Sequence, residues 1–181
     1  MPVLIAPTVE AHASFIAAMA EFHAEGRGGP DDNSMIGNDL REYGERWADP
    51  AVFAQYVRRL NADLLEDSPR PERFVPSTNL WWADGTEYLG RIQIRHRLTD
   101  WLRESGGHIG YDIRASARRR GHATRMLHEA LPYAAKLGID PALITCDTGN
   151  IASRKVIEKS GGILEDQRGD KLRFWVCTTK E

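Results

Sequence analysis

Apolar positions along the chain change their spacing from one region to the next. Val3 to Ala6 is a short apolar run of strand type. Thr8 has the chemistry of a helix cap, and Phe15, Ile16, Met19 and Phe22 then recur at three- and four-residue steps. That spacing predicts a helix over Glu10 to Glu25 with one buried face. Gly26 to Asn38 is polar and glycine-rich and reads as a loop, the longest polar break and the expected mobile segment. Asp39 to Ala48 is predicted helical. Asp49-Pro50 restarts a helix whose buried stripe is Phe53, Tyr56, Val57, Leu60 and Leu64. Ser68 to Arg73 is a second loop.

Period-two patterning takes over in the second half. Phe74 to Ala83 reads as a strand that turns back at Asp84-Gly85. Along Glu87 to Arg97, Tyr88, Ile92, Ile94 and His96 fall on one face and Arg91, Gln93, Arg95 and Arg97 on the other. Of the adjacent Trp81 and Trp82, one is expected in the core and its neighbour in a cleft or against a partner. A connection with Trp101 and Gly106-Gly107 leads to a strand at His108 to Ile113. A basic turn at Arg118 to Gly121 opens a helix to about Leu137, which Pro132 is expected to kink. Strand Pro141 to Cys146, helix Asn150 to Ser160, the stop Gly161-Gly162, and strands Ile163 to Asp166 and Arg173 to Thr178 complete the order. An antiparallel meander followed by a strand–helix–strand crossover is a mixed α/β (α+β) arrangement.

Composition narrows the function. At 181 residues the chain suits one domain. Hydrophobic residues at 41% and charged residues at 28% describe a globular protein. The formal net charge of −2 argues against a protein built to neutralise nucleic-acid phosphates. No apolar run approaches the roughly 18 residues of a membrane span, and the N-terminus lacks the basic region of a signal peptide. Cys146 and Cys177 lie in apolar strand-like runs without metal spacing, which reads as reduced core thiols in a cytoplasmic protein. The six histidines show no metal-ligand motif, so no metal is expected.

The candidate chemistry sits at Arg118-Arg119-Arg120-Gly121-His122-Ala123-Thr124. A strand–turn–helix with small residues at close-approach points presents backbone N–H groups and a helix N-terminus, which together cradle a pyrophosphate. No Gly-Lys-Ser/Thr follows, so this is not a Walker loop, and the preceding meander does not suit a dinucleotide-binding unit.

The pattern Arg118-x-x-Gly121-x-Ala123 resembles the acetyl-CoA motif of the GNAT N-acetyltransferase superfamily. Gly110-Tyr-Asp-Ile113-Arg-Ala115 stands before it, as the family's strand does. Leu143-Ile-Thr-Cys-Asp147 and the helix from Asn150 to Gly161-Gly162 follow it in family order. The motifs cover residues 74 to 178 and the element order covers 1 to 181, a single domain. The resemblance implies a central mixed, mostly antiparallel twisted sheet of six to seven strands flanked by about four helices. It also implies acetyl-CoA as co-substrate, lying between two splayed strands.

On that resemblance the Ile113 N–H faces the thioester carbonyl, with Arg114 beside it. Arg118, Arg119, Arg120, Gly121, His122, Ala123 and Thr124 hold the pyrophosphate, and Asn150, Ser153 and Lys155 lie along the cofactor. Many members carry a Tyr seven residues after the Asn as the acid for the leaving thiolate. Here that position is Ile157, and His108 and Tyr111 are the nearest replacements. Strict alternation sets His108 and Ile113 on opposite faces unless a bulge intervenes. The acceptor is expected to be a small-molecule amine; Asp31, Asp32 and Asp39 read either as attractors of its charge or as residues that solubilise the loop. Acetylation of a protein or peptide amine and a catalytically silent acyl-CoA sensor are the alternatives. No nucleic-acid or membrane partner is expected, and the fold admits a homodimer.

Overall fold

The computed structural model describes residues 1–179. The described chain forms seven strands and six α-helices: β1 (Val3–Ile5), α1 (His12–Ala24), α2 (Met35–Glu42), α3 (Pro50–Ala62), β2 (Ser77–Asp84), β3 (Glu87–Arg95), α4 (Asp100–Glu104), β4 (Ile109–Ile113), α5 (His122–Lys136), β5 (Ala142–Asp147), α6 (Ile151–Lys159), β6 (Ile163–Arg168) and β7 (Lys171–Val176). This mixed α/β order matches the architecture expected from the sequence. The strands divide into an antiparallel sheet ordered β1-β2-β3-β4 and a second antiparallel sheet ordered β5-β7-β6. α5 is the crossover from the last strand of one to the first strand of the other.

Two aromatic and aliphatic cores lie on opposite faces of the larger sheet. Leu80, Trp82, Ile92 and Ile94 point to one face and pack with Met126, Leu127 and Leu131 of α5 and with Ile144 and Phe174 of the second sheet. Trp81 points to the other and meets Phe15 of α1 and Phe53 and Tyr56 of α3. Both tryptophans are therefore buried, and neither faces a cleft. Helices cover both faces of the sheet, so opposite-pointing neighbours each find a core. Each such side chain contributes roughly 1.5–3 kcal/mol by leaving water.

Tyr88 departs from its predicted face. The β2–β3 register steps from Trp82 opposite Gly90 to Ala83 opposite Tyr88, which leaves Leu89 as the extra residue of a β-bulge. The extra residue reverses the alternation. Tyr88 joins the α1/α3 core, edge-on to Trp81 at 5.2 Å, while Ile92 stays with α5.

Local chemistry also moves some boundaries. Ser34 accepts a hydrogen bond from the Gly37 N–H, so α2 begins inside the predicted loop. Gly44, at φ +48, breaks the predicted helix after Glu42 and starts a 3-10 segment over Gly44–Ala48. Trp101 lies on the short α4 and not in an open connection. α5 continues through Pro132. Cys177 is exposed while Cys146 is buried, and both are free thiols. Among the described residues, no helix is long and apolar enough to cross a membrane.

Candidate active site

β4 and β5 are tied together at one point. The His108 N–H donates to the Leu143 carbonyl at 2.7 Å, and the Leu143 N–H donates back to His108 Nδ1 at 2.9 Å. The Gly106 N–H adds a bond to Thr145 Oγ1 at 2.9 Å. Gly107, at φ +60, allows the contact, because a Cβ there would lie against the Leu143 carbonyl. Past this tie the two strands belong to different sheets. Arg95 and His108 at one end of the β3–β4 ladder, and Leu89 and Arg114 at the other, are hydrogen-bonded pairs. Alternation along the ladder then turns the N–H groups of Tyr111 and Ile113 away from β3, into the gap facing β5.

The basic turn stands at the open end of this gap. Arg119 and Gly121 both have left-handed backbone, at φ 65 and φ 80, and α5 starts at His122. Gly121 is the N-cap residue and has no side chain to satisfy the helix. The N–H groups of His122, Ala123 and Thr124 therefore precede the first intrahelical bond, Arg125 N–H to the Gly121 carbonyl at 3.1 Å. The space over Gly121 is open. A row of uncapped donors at the positive end of a fifteen-residue helix has the form of an anion cradle.

The three arginines differ in use. Arg118 donates through Nε to the Ile113 carbonyl at 2.8 Å, and its guanidinium pairs with Glu25 of the turn after α1. Its charge is thus partly spent in bracing the strand end. Arg119 and Arg120 are exposed over the turn. His122 Nδ1 accepts from Trp82 Nε1 at 3.1 Å; burial first, then Arg125 and Arg120, holds its pKa down.

α6 closes the gap from the other side. Asn150 caps the helix through Oδ1, accepting from the Ser153 N–H at 3.0 Å. Ser153 Oγ lies 2.8 Å from the Tyr111 hydroxyl, so Tyr111 bridges from β4 to α6 across the gap. Burial pushes the Tyr111 phenol above its ordinary range and keeps it protonated. Lys155 is exposed on the same helix. Ile157 is fully buried in the α5 core.

Two of the sequence-predicted site residues serve elsewhere. His108 accepts the Leu143 N–H at the tie, and burial, with Arg103 and Arg95 nearby, draws its pKa down to about 4. β4 has no bulge in its ladder to bring His108 round to Ile113. The Arg114 side chain points away from the gap, to Glu21 Oε1 at 2.9 Å, Ser14 Oγ at 3.2 Å and the Tyr88 carbonyl at 3.2 Å. Glu21 works against its own partial burial. Arg114 and Ser116 outweigh that burial and hold its pKa at about 2.

The opposite face of β4 carries a polar network that sequence patterning did not single out. Arg27 donates to Asp112 at 3.2 Å and to Asp32 at 3.0 Å. Arg91 donates to Asp39 at 2.7 Å and to the Tyr56 hydroxyl at 3.1 Å, all three groups buried. Arg59 adds a bond to Asp39 at 3.3 Å. Asp32 and Asp39 are thus paired with arginines, so neither sequence reading, a surface that attracts a cation or a solubilised loop, describes them. Only the alternation of arginines along β3 hinted at this network.

Comparison with known proteins fits this geometry. Residues 35–163 match the family model of the acetyltransferase (GNAT) domain. PaiA N-acetyltransferase from Thermoplasma acidophilum, solved in complex with coenzyme A, is 14% identical. The match covers 98% of this chain and 99% of that one, with a TM-score of 0.59. Mycobacterium smegmatis RimJ, in complex with CoA-disulfide, is 15% identical over 96% of this chain and 80% of its own, with a TM-score of 0.65. RimL, a ribosomal alpha-N-protein acetyltransferase in complex with coenzyme A, is 14% identical over 95% and 90%, with a TM-score of 0.61. None of the curated proteins matches the chain.

Proposed function

The chain belongs to the GNAT acetyltransferase family, and from that premise we propose that it transfers the acetyl group of acetyl-CoA directly to an amine on a small molecule. The observation that carries the proposal is the gap between β4 and β5, with the uncapped N-terminus of α5 at its open end. A diphosphate suits those N–H donors, and an extended pantetheine arm suits the strand edge that Tyr111 and Ile113 leave unpaired. The thioester supplies the activated acetyl group.

Each nearby residue has a role its chemistry allows. The Ile113 N–H faces the gap, where it would hold the negative charge that builds on the carbonyl oxygen as the amine attacks. Arg118 fixes that strand end by holding the Ile113 carbonyl. As the carbon–nitrogen bond forms, the amine nitrogen gives up a proton to water; as the carbon–sulfur bond breaks, the departing thiolate takes one up. Tyr111, protonated and braced by Ser153, would give it, in place of the Tyr that Ile157 replaces. His108 then has a structural part, as the tie that sets where the strands separate. The free thiols Cys146 and Cys177 suit a reducing cytoplasm.

A second reading, acetylation of a protein N-terminus, is favoured by the likeness to RimL. Amine-dependent release of free thiol from acetyl-CoA separates the possibilities. Turnover with small amines supports the proposal, and turnover with peptides alone supports the second reading. Binding of acetyl-CoA without any thiol release points to a sensor and overturns both.

A further inference from the structure

A cavity of about 400 Å³ opens at the tied end of β4 and β5, away from the gap. It lies where the chain leaves α5 and enters β5. The anion cradle is at the opposite end of α5, about 22 Å away for fifteen residues at the usual helical rise. Leu137, Ile139, Pro141 and the Trp175 indole of β7 form an apolar wall, and His108 and Arg103 bring polar groups to it. His108 is 9% exposed, and its two ring nitrogens have different uses. Nδ1 accepts from the Leu143 N–H, so in the neutral ring the proton is on Nε2. Burial, with Arg103 and Arg95 nearby, keeps the ring neutral. Among the described residues the Nε2–H has no partner. It is not sealed off, as the orphaned nitrogens of Trp47, Trp81 and Arg91 are. His108 therefore holds a fixed donor at the cavity with nothing to receive it, an arrangement that costs free energy until an acceptor arrives.

Arg103 of α4 supplies the charge. Among the described residues its guanidinium has no ion pair and no hydrogen bond; only its carbonyl is engaged, by Arg173 Nε at 2.8 Å. The other polar groups of the lining are already answered. Arg97 pairs with Glu66 at 2.7 Å, and His96 Nε2 lies 2.9 Å from the Thr78 hydroxyl. The Asp140 carboxylate accepts from the Thr178 N–H at 2.8 Å and from the hydroxyls of Thr178 and Thr179 at 3.1 and 2.9 Å. The carbonyls of Tyr133, Ala134 and Ala135 at the end of α5 accept the N–H groups of Leu137, Gly138 and Ile139. What remains unanswered is one guanidinium and one imidazole N–H, both donors, beside an apolar wall.

We propose that this cavity binds a small organic anion, a carboxylate on an apolar body. The charged group takes the Arg103 guanidinium and the His108 Nε2–H, and the apolar part lies on Trp175, Leu137 and Ile139. This is a second site, separate from the acetyl-CoA gap, and it does not rest on the acetyltransferase reading. The ring that donates to the anion is the one that accepts from Leu143, so the occupant is joined through His108 to the point where β4 and β5 part.

The test follows benzoate by NMR at the His108 ring nitrogens and the Trp175 indole N–H, beside benzamide and inorganic phosphate. The expected result is benzoate binding that shifts both groups, with benzamide and phosphate each weaker by about tenfold or more. Arg103→Gln, at a side chain that braces nothing, should weaken benzoate by about tenfold, and Arg103→Lys should keep part of the affinity. Saturation with coenzyme A should leave the benzoate affinity within about twofold, because cradle and cavity are apart. No shift at His108 and Trp175, equal affinity for benzoate and benzamide, or an affinity unchanged in Arg103→Gln overturns the inference. So does phosphate binding as tight as that of benzoate, since the apolar wall would then count for nothing. Shifts at His122 to Thr124 in place of His108 would put the anion in the cradle and overturn it too. Benzoate bound at His108 in a chain that does not bind coenzyme A would support this site and overturn the acetyltransferase reading alone.

Discussion

The free edge of β4 and its face toward α1 are built by different means. Along the edge toward β5, the site is made of backbone: N–H groups of Tyr111 and Ile113, uncapped N–H groups of α5, and the glycines that let them be reached. On the face toward α1, α2 and α3, it is made of side chains paired across long stretches of sequence. Arg91 meets Asp39, Arg27 meets Asp112, and Arg114 meets Glu21. A backbone site constrains residue type at fixed local spacing. A side-chain site constrains pairs that the fold brings together. The first gives a chemistry that can be shared across a family, and the second leaves room for an acceptor particular to one chain.

Removing one partner of the buried Arg91–Asp39 pair would disturb this comparison most. Arg91 already has Nε and Nη2 without partners, and the Tyr88 hydroxyl nearby is also unpartnered. Asp39→Ala would leave the guanidinium buried with only the Tyr56 hydroxyl, at a cost of about 3–5 kcal/mol. Chemical denaturation should show that loss. The fraction that remains folded should bind acetyl-CoA as the wild type does, because the α5 cradle lies on the other face.

A smaller effect, confined to chemistry, is expected on the gap side. Tyr111→Phe removes the proposed proton donor and the bond to Ser153 Oγ. Steady-state kinetics should show kcat reduced by about a hundredfold, the low end of general acid catalysis, with KM for acetyl-CoA within about twofold. An unchanged kcat would place the proton source elsewhere.

The smallest effect is a pH signature of the side-chain face. Glu21 has a pKa of about 2 in the folded chain against an ordinary 4.5. Its contribution is therefore complete above pH 4.5 and disappears as pH falls through about 2. Glu21→Gln should lower stability by about 1–2 kcal/mol at neutral pH, since Arg114 keeps its bonds to Ser14 and the Tyr88 carbonyl. The gap between wild type and variant should close on acidification across that window, as denaturation at stepped pH would show.

The same division decides how much of the molecule the sequence disclosed. The order of the elements along the chain, the helix between β4 and β5 and the Arg118-to-Thr124 turn are legible because each follows from residues within a few positions of one another; the division into two sheets ordered β1-β2-β3-β4 and β5-β7-β6 does not. The role of Arg114 was not, since the partner that turns it from the gap, Glu21, lies 93 residues away. Tyr88 was assigned to the wrong face because a single extra residue, Leu89, reverses a period-two pattern without leaving a mark in it. Trp81 and Trp82 were read as one buried and one facing a cleft or partner, although helices cover both faces of their sheet. For Asp32 and Asp39 the sequence offers cation attraction or loop solubility, because nothing in its pattern marks Arg27 and Arg91 as their partners.

The most direct test of the account is a calorimetric titration of acetyl-CoA into wild type, Gly121→Ala and Gly121→Glu. Gly121 has φ +80 with open space over it. Both substitutions therefore share a backbone cost of about 1–2 kcal/mol, and only Glu puts a negative charge among the α5 donors. The account predicts micromolar binding by the wild type, modest weakening in Gly121→Ala, and a loss of at least about a hundredfold in Gly121→Glu, equivalent to about 2.7 kcal/mol. A wild type that does not bind, or a Gly121→Glu variant that binds as well as Gly121→Ala, would contradict it.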